Sequence, residues 1–274
     1  MEILKLFKEQ LPLGINGILS KKDTINAINT FPVEDADTGN NILYTLNGIN
    51  SVLQDSLEVK DILDTLLYTS KGSSGNIISL YLLKFLESLS STKEVNKQVF
   101  EDSYNFLLNS YPYIQEKGTL VETFYLLPLF LESEDSFYKN LYYSTVLSIE
   151  DTYNRTKKYL PDSGILASLY FFTSILDNKE KYTFNFNKEL FDKSLDSKKD
   201  SHLWCCEILL EDKDYFSKIK YLLKDTKESE KFIFSINNKT KFHVHLIDKD
   251  LLELFKAFKE LNINPLRIKI DFMY

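Results

Sequence analysis

Hydrophobic side chains in the first 177 residues recur mainly at the spacing of an α-helix. Ile42, Leu46, Ile49 and Leu53 form one apolar stripe, and a densely apolar run covers residues 77–89. Further helical runs cover Val99–Leu108, Leu120–Leu131 with a bend at Pro128, Tyr138–Tyr159 and Ile165–Leu176. We therefore predict about seven or eight helices with short connections, packed as a bundle or a closed helical barrel.

The hydrophobic period changes in the last third of the chain. Residues 178–201 are rich in Lys, Asp, Asn and Ser, and we interpret them as the junction between a helical domain, 1–180, and a smaller domain, 202–274. The patterns that follow predict strands at Leu203–Glu211, Lys231–Asn237, Lys241–Asp248 and Leu266–Phe272, helices at Tyr215–Lys224 and Leu251–Leu261, and a hairpin turn at Asn237–Thr240. This βαββαβ order is that of the ferredoxin-like fold, in which the first and third strands are neighbours. The predicted fold class is mainly α, then α+β.

Composition narrows the classes of function. The 274-residue chain is 43% hydrophobic and 27% charged, has a net charge of −7, and contains two cysteines, Cys205 and Cys206. The negative charge disfavours a general nucleic-acid-binding surface, and no apolar run reaches the roughly 20 residues that a membrane span needs. Two adjacent cysteines do not make a disulfide framework, so we expect a cytoplasmic protein.

Acidic residues precede a predicted helix in the stretch Asn29–Asn41. Asp35 and Asp37 stand one residue apart, and an apolar helical run begins at Ile42. Carboxylates on such a turn suit a hard cation that keeps several waters while it binds phosphate oxygens. The N-terminus of the following helix attracts the same phosphate anion. The alternative is an acidic turn that ends in a helix N-cap and binds nothing.

Two further turns are candidates for phosphate binding. Gly72-Ser73-Ser74-Gly75-Asn76 precedes a predicted helix and offers small residues, hydroxyl groups and backbone N–H groups. Lys117-Gly118-Thr119 opens another helix, with Thr119 as a natural N-cap. Either turn also fits a plain connection without a function.

Strand parity predicts a metal site in the second domain. His243 and His245 lie two residues apart on the third strand and share one face of the sheet. On the adjoining first strand, Cys205 and Glu207 share that open face. The residues that should face the helices are Trp204, Cys206, Ile208 and Leu210 on the first strand and Phe242, Val244 and Leu246 on the third. A thiolate, two imidazoles and a carboxylate are suitable zinc ligands. The alternative is a pair of solvent-facing histidines and a buried thiol with no metal.

These motifs resemble those of bacterial fatty acid kinases, whose nucleotide-binding domain is shared with dihydroxyacetone kinases. Residues 29–41 resemble the family's Asn-Val-Phe-Pro-Val-Pro-Asp-Gly-Asp-Thr-Gly-Thr-Asn, and residues 71–76 resemble its Lys-Gly-Ala-Arg-Gly-Asn. Residues 116–120 lie near its Glu-Gly-Thr-Ile-Leu. In the second domain, residues 204–211, 241–245 and 268–273 are similar to its Tyr-Cys-Thr-Glu-Phe-Leu-Leu-Glu, Lys-Val-His-Val-His and Ile-Lys-Ile-Asp-Asn-Met.

The resemblance implies an eight-helix barrel that binds ATP and Mg²⁺ at one end, with Asp35 and Asp37 as catalytic magnesium ligands. The other implied nucleotide-binding residues are Asn29, Thr38, Gly39, Asn41, Ser73, Ser74, Gly75, Asn76 and Thr119. It also implies a Zn²⁺ site at Cys205, His243 and His245 and a homodimer through the C-terminal domain. The implied partner is a lipid-binding protein that presents the fatty acid, and we expect no counterpart of the family's third domain in this chain.

The chain also departs from the family pattern. Ala36 replaces the glycine between the two aspartates, Asn40 replaces a threonine, and Ile77 and Ile78 replace a Ser-Gly pair. Where the family has Gly-Val-Val-Asp-Ala-Gly-Gly, residues 164–170 read Gly-Ile-Leu-Ala-Ser-Leu-Tyr, so we expect an acid and two glycines to be lost. Two hypotheses follow. The first is an ATP-dependent kinase component with a fatty acid, rather than dihydroxyacetone, as acceptor. The second is a catalytically degenerate homologue that serves as a dimeric scaffold or regulator, with or without nucleotide binding.

Overall fold

The computed structural model of the chain describes residues 2–29, 36–56, 58–92, 96–110, 119–126, 162–175, 203–212, 214–223, 231–236 and 238–273. The chain divides into two compact units, the first formed by Met1–Asn109 and Tyr113–Ser197 and the second by Ser110–Pro112 and Lys198–Tyr274. The predicted junction at 178–201 and the predicted helix at Tyr138–Tyr159 lie outside the described residues. No helix in the described ranges is both long and apolar enough to cross a bilayer.

The described part of the first unit is built from helices. They are α1 (Glu2–Ser20), α2 (Lys22–Ala27), α3 (Thr38–Asp55), α4 (Val59–Thr69), α5 (Gly72–Thr92), α6 (Lys97–Ser110), α7 (Leu120–Leu126) and α8 (Ser163–Ile175). The apolar stripe predicted on α3 is buried, since Ile42, Leu46, Ile49 and Leu53 are at most 5% exposed. The predicted break at Pro128 lies outside the described residues, and the mainly helical class of this unit is confirmed.

Helices α1 and α8 approach each other closely at two glycines of α1. A Cβ on Gly14 would lie 2.2 Å from the ring of Phe171, and a Cβ on Gly17 would lie 2.3 Å from the carbonyl oxygen of Tyr170. Both distances are far below van der Waals contact, so only glycine permits this approach. The contact anchors α8, whose first residues enter the candidate site described below.

The described part of the second unit contains a four-stranded antiparallel sheet and two helices. Its elements are β1 (Leu203–Leu210), α9 (Tyr215–Leu222), β2 (Lys231–Ile236), β3 (Lys239–Leu246), α10 (Asp248–Glu260) and β4 (Pro265–Met273). The strand order is β2-β3-β1-β4, so the first and third strands are neighbours as predicted. One layer of the core lies between this sheet and the helices and includes Cys206, Ile208, Leu210, Phe242, Val244 and Leu246, with Trp204 packed against it.

The hairpin between β2 and β3 is tighter than predicted. Ile236 pairs with Lys239, and Ser235 pairs with Thr240, so Lys239 and Thr240 belong to the ladder rather than to the turn. Asn238 has a φ of 61°, a conformation that asparagine tolerates better than most residues, and it closes a two-residue connection.

Helix α10 begins at Asp248, three residues earlier than predicted. Acidic residues in its first turn stabilise this start, because their negative charge interacts favourably with the positive end of the helix dipole.

Candidate functional site

Asp37 occupies the N-cap position of α3. Its carboxylate oxygen Oδ1 accepts a hydrogen bond of 2.7 Å from Asn41 Nδ2, and its carbonyl oxygen accepts one of 2.9 Å from the Asn41 N–H. The structure therefore brings these two candidate residues together at the start of α3. Asp35, the other candidate magnesium ligand, lies outside the described residues.

Ala36 has a left-handed backbone, with a φ of 51°. In this conformation a Cβ crowds the following carbonyl oxygen, which costs roughly 1–2 kcal/mol. The tight backbone expected between the two aspartates is thus present, and an alanine occupies the position at which the resembling family has glycine.

Ala36→Gly is expected to stabilise the protein by about 0.5–1 kcal/mol, because glycine adopts positive φ without strain but adds freedom to the unfolded chain. Urea unfolding followed by far-ultraviolet circular dichroism would measure the free energy of unfolding. Ala167→Gly, in the interior of α8, is the control and should destabilise by about 1 kcal/mol or more. If Ala36→Gly unfolds more easily than wild type, the left-handed backbone at Ala36 is not strained.

Three buried polar side chains meet beside the start of α3. Asn29, Thr38 and Ser163 are at most 5% exposed. The Ser163 hydroxyl oxygen lies 2.9 Å from Thr38 Oγ1 and 3.4 Å from Asn29 Oδ1. Asn29 and Thr38 were singled out from the sequence and Ser163 was not, although its position at a helix start behind an aspartate is a recognisable N-terminal pattern.

Gly39 is held against the end of α2. Its N–H donates to Asn26 Oδ1 at 2.7 Å, and a Cβ on Gly39 would lie 2.8 Å from that same oxygen. A side chain at this position would push the first turn of α3 away from α2. Gly39 therefore positions Asp37 and Thr38 through its lack of a side chain.

Gly72–Asn76 form the first turn of α5, whereas the sequence predicts a turn ahead of the helix at these residues. Gly72 has a φ of 61°, so the chain turns at this residue and the helix begins at once. A Cβ on Gly72 would lie 2.1 Å from Asn41 Nδ2, which shows how closely the start of α5 borders α3. Asn76 is fully buried, and its amide donates to the Gly72 carbonyl at 2.8 Å.

A second contact ties α3 to α5. Thr45 Oγ1 accepts the Lys71 N–H at 3.2 Å and donates to the Asn41 carbonyl at 2.9 Å. A Cβ on Gly75 would lie 2.5 Å from that hydroxyl oxygen. Ser73 and Ser74 are partly buried beside these contacts, so the whole Gly-Ser-Ser-Gly stretch lies along α3.

Thr119 caps α7 as its sequence position predicted. Its hydroxyl oxygen accepts the Val121 N–H at 3.3 Å, and its carbonyl accepts the Glu122 N–H at 2.9 Å. Lys117 and Gly118, which precede it in the candidate turn, lie outside the described residues.

Asp162 caps α8 and ties it to α7. Its Oδ1 accepts the Ile165 N–H at 2.9 Å, and the N–H groups of Gly164 and Leu120 also bond to it. Burial raises the pKa of Asp162 to about 6, and the three backbone hydrogen bonds oppose that rise. Because Leu120 opens α7, one carboxylate joins the starts of two helices.

Ala167, which stands where the family pattern has an acid, lies in the second turn of α8 and is fully buried. The acid at the start of this helix is Asp162, five residues earlier. The expected loss of an acid and two glycines from residues 164–170 stays a prediction.

The raised pKa of Asp162 makes a prediction about stability and pH. Between its ordinary value of 3.8 and about 6, the folded protein binds a proton at Asp162 more tightly than the unfolded chain does. The stabilisation is therefore fully present below the unfolded pKa and is lost as the pH rises through the folded pKa. As the pH falls from neutral to about 4, the unfolding free energy of wild type should rise by roughly 2–3 kcal/mol relative to that of Asp162→Asn.

Urea unfolding of both proteins in EDTA at the two pH values would test this prediction. Asp23→Asn is the control, because the Asp23 side chain is 97% exposed and should show no such pH difference from wild type. A constant difference between wild type and Asp162→Asn across the pH range would refute it.

Contacts in series link the starts of α3, α5, α7 and α8. Asn41 borders Gly72, Thr38 bonds to Ser163, and Asp162 joins Leu120 to the first turn of α8. Each helix start carries about half a positive charge. The cluster therefore favours an anion such as a polyphosphate, and Asp37 offers a carboxylate to a cation that accompanies it.

A second cluster, formed by Cys205, His243 and His245, lies in the sheet. Cys205 pairs with His245, and Glu207 pairs with His243, across β1 and β3. Cys205 Sγ lies 3.3 Å from His243 Nε2, which lies 3.0 Å from His245 Nε2. The three ligand atoms are all within 4.8 Å of one another, and the residues are at most 6% exposed.

The two cysteines lie on opposite faces of the sheet, as strand parity predicted. Cys206 lies in the apolar core under the helices, where burial, aided by the charge of Asp271, raises its pKa to about 12 and keeps the thiol protonated.

His245, on the face of Cys205, is neutral at physiological pH. Burial and the neighbouring His243 lower the pKa of His245 to about 3. A neutral imidazole beside Cys205 is a suitable metal ligand.

Glu207 shares the face of the cluster but pairs with Lys241, whose Nζ lies 3.2 Å from Oε2. Burial lowers the pKa of Lys241, against the attraction of Glu207. Both side chains are at most 7% exposed, so the face that we expected to be open is covered at these positions. Strand parity assigns a residue to a face of the sheet, Lys241 included, but carries no information about what covers that face.

Comparisons with known proteins give short matches in sequence and a longer one in structure. No family model matches the chain. Uncharacterized proteins of Staphylococcus saprophyticus, Staphylococcus epidermidis and Staphylococcus aureus are 28%, 27% and 26% identical to it over 106 residues. Each match covers 36% of this chain and 19% of the relative, so the matched part spans about a fifth of the length of these curated relatives.

The structural match is to a kinase. The crystal structure of the dihydroxyacetone kinase of C. freundii in its native form superimposes with a TM-score of 0.54 and 15% identity. The same enzyme in complex with AMP-PNP and Mg²⁺ superimposes with a TM-score of 0.53 and 16% identity. Both matches cover 63% of this chain and 34% of the kinase. Over that share of its length, the chain has a dihydroxyacetone kinase-like fold.

Proposed function

We propose that the chain is an ATP- and Mg²⁺-dependent phosphotransferase component that phosphorylates a fatty acid presented by a separate lipid-binding protein. The observation that carries the proposal is the linked cluster of helix starts at α3, α5, α7 and α8, with the Asp37 carboxylate beside it. The similarity in fold supports the proposed binding of a nucleotide, because the similar kinase structure is a complex with AMP-PNP and Mg²⁺.

Asp37 and Asp35 would hold the Mg²⁺, with Asn29 beside them. Magnesium, when bound, neutralises charge that develops on the transferred phosphoryl group. The nucleotide phosphates would lie against the first turns of the linked helices, where the residues proposed to bind them are Thr38, Gly39, Asn41, Ser73, Ser74, Gly75, Asn76 and Thr119. Positioning and charge stabilisation supply the catalysis, and no covalent protein intermediate is needed.

The resemblance of the second unit to the fatty acid kinase middle domain supports the fatty acid as acceptor. Cys205, His243 and His245 would hold a Zn²⁺, which their spacing and donor types fit. Three protein ligands leave one position of a tetrahedral ion for another group. We also propose that this unit carries the contact of a homodimer.

A non-catalytic dimeric scaffold is the second candidate function. It is favoured by Ala36, which holds a left-handed backbone between the two aspartates, and by Ile77, which is buried where the resembling family has a serine. Both candidates predict the same fold. They differ in whether a phosphoryl group is transferred, and only the kinase requires Mg²⁺ and ATP to bind together.

Calorimetric titration of the full chain with ATP in the presence of Mg²⁺ tests the proposal. We expect saturable heat near one site per chain, and we expect EDTA to abolish it. An absence of heat with Mg²⁺ present would refute the kinase and leave the scaffold.

A further inference from the structure

Helix α3 begins without a capping hydrogen bond from its own N-cap residue. The side chain of an aspartate at the N-cap usually accepts the N–H of the second or third helical residue, which has no partner within the helix. The Asp37 side chain makes no such bond, and its backbone, with a φ of −126° and a ψ of 0°, lies outside the β region typical of capping residues. The acceptor that caps α3 therefore comes from another part of the chain.

Asn26 supplies that acceptor from the neighbouring helix α2. Its Oδ1 accepts the N–H of Gly39, the second residue of α3, at 2.7 Å. The carbonyl oxygen of Lys22 and a methyl group of Ile25 lie 3.1 Å and 3.4 Å from the position that a Cβ on Gly39 would occupy. This close packing of α2 against the first turn of α3 brings the Asn26 amide oxygen within reach of the helix start.

The backbone of Asn26 also holds the end of α2. Its carbonyl oxygen accepts the Asn29 N–H at 3.2 Å. Asn29 is buried beside Ser163, whose hydroxyl oxygen lies 2.9 Å from Thr38 Oγ1. Asn26 thus bonds to the chain both where it leaves α2 and where it enters α3, which are positions before and after Asp37.

The cap from α2 affects what the Asp37 carboxylate does. Since Asn26 accepts the Gly39 N–H, the carboxylate is not needed in the cap, and its Oδ1 accepts a hydrogen bond of 2.7 Å from Asn41 Nδ2. In a helix capped by Asp37, the carboxylate oxygens would bond to backbone N–H groups and would offer less negative charge to a cation.

We infer that Asn26 is a positioning residue for the proposed magnesium site: it caps α3 in place of Asp37 and holds the Asp37 carboxylate where a cation can bind. The role toward the cation rests on the proposed function. The cap itself is a property of the folded chain and requires neither Mg²⁺ nor ATP. Because Asn26 acts through Gly39, it is a positioning residue and not a catalytic one.

Hydrogen exchange at the Gly39 amide tests the cap without any ligand. Labelling with carbonyl-¹³C threonine and ¹⁵N glycine identifies this amide by nuclear magnetic resonance, because Thr38-Gly39 is the only threonine–glycine pair in the sequence. The amide should exchange at least about tenfold faster in Asn26→Ala than in wild type. It should exchange close to the wild-type rate in Asp37→Ala and in Asn26→Asp, which retains an acceptor oxygen.

The amide of Gly48, in the interior of α3, is the internal control for the stability of the whole helix. Its exchange rate should change little among these proteins. Faster exchange at Gly39 in Asp37→Ala but not in Asn26→Ala would assign the cap to Asp37 and overturn the inference. Equal exchange at Gly39 in wild type and all three variants would also overturn it.

Calorimetric titration of the full chain with ATP in the presence of Mg²⁺ tests the positioning role. Asn26→Ala should raise the dissociation constant by about tenfold, and Asn26→Asp should restore it to within about threefold of wild type. Asn50→Ala is the matched control: it removes an amide that bonds to Gln54 further along α3, and it should bind as wild type does. Urea unfolding would verify that each variant is folded during the titration.

The outcomes separate this inference from the function proposed above. Wild type that binds no ATP with Mg²⁺ would refute the proposed function together with the role of Asn26 toward the cation, and the Gly39 exchange rates would then decide the cap alone. Wild-type affinity in Asn26→Ala, with faster exchange at Gly39, would overturn the positioning role and leave the kinase standing. That result would make Asn26 a purely structural cap.

Discussion

His243→Ala is expected to leave the purified protein without zinc. Elemental analysis should find about one zinc per chain in wild type and less than roughly a tenth of that in the variant, since two remaining ligands hold the ion poorly. Thermal unfolding should occur at the same lowered temperature in His243→Ala and in chelator-treated wild type, because both lack the stabilisation that a bound metal contributes to the folded state.

The geometry of the cluster supports this expectation. In a tetrahedral zinc site, two nitrogen ligands lie about 3.3 Å apart, and a nitrogen and a sulfur about 3.6 Å. The corresponding distances here are 3.0 Å between the two histidines and 3.3 Å between Cys205 and His243. These two distances differ from the tetrahedral values by about 0.3 Å. The third pair, Cys205 and His245, lies within 4.8 Å, so these two ligand atoms must approach each other by up to about 1.2 Å to share one ion. The Glu207–Lys241 ion pair beside them is already formed.

Cysteine substitutions provide a matched pair for the same measurement. Cys205→Ser should lose zinc, whereas Cys206→Ser should keep it, because Cys206 lies on the other face of the sheet in the apolar core. Both substitutions remove one sulfur from adjacent buried positions, so a difference between them reports the ligand and not a general loss of packing. Wild type that contains no zinc when purified without chelator would contradict the site.

The sheet could be predicted largely from the sequence because its side chains alternate strictly. That period placed Cys205, Glu207, His243 and His245 on one face and put Cys206 in the core, and the observed pairing of β1 with β3 confirms both. The burial of that face could not be predicted in this way, and neither could the ion pair with Lys241. Both depend on three-dimensional contacts that a period of two does not encode.

The sequence predicts the described helices of the first unit well, but it predicts the residues at which they begin less well. The apolar stripe of α3 is buried as expected, but α5 begins four residues before the predicted turn ends, because the left-handed Gly72 lets the helix start at once. The start of α8 was also misplaced. The predicted helix begins at Ile165, whereas α8 begins at Ser163, directly after the capping carboxylate of Asp162. The contact between Ser163 and Thr38 forms only in three dimensions and has no signal in the spacing of residues along the chain.

Asp37→Ala is expected to weaken the binding of ATP in the presence of Mg²⁺ by more than about tenfold, or roughly 1.4 kcal/mol. The carboxylate lies at the start of α3, beside the linked starts of α5 and α8, where it would hold the cation that accompanies the phosphates. Isothermal titration calorimetry of wild type and variant under identical conditions would measure the change in dissociation constant.

Two further variants separate the charge of Asp37 from its structural contact. Asp37→Asn retains an oxygen that accepts the 2.7 Å hydrogen bond from Asn41, but it removes the negative charge. If Asp37 holds Mg²⁺, this variant should lose affinity nearly as severely as Asp37→Ala while remaining as stable as wild type within about 1 kcal/mol. Asp23→Ala removes an exposed carboxylate from the same unit and should bind as wild type does. Full binding by Asp37→Asn together with weak binding by Asp37→Ala would assign Asp37 to the support of α3 and would remove it from the magnesium site.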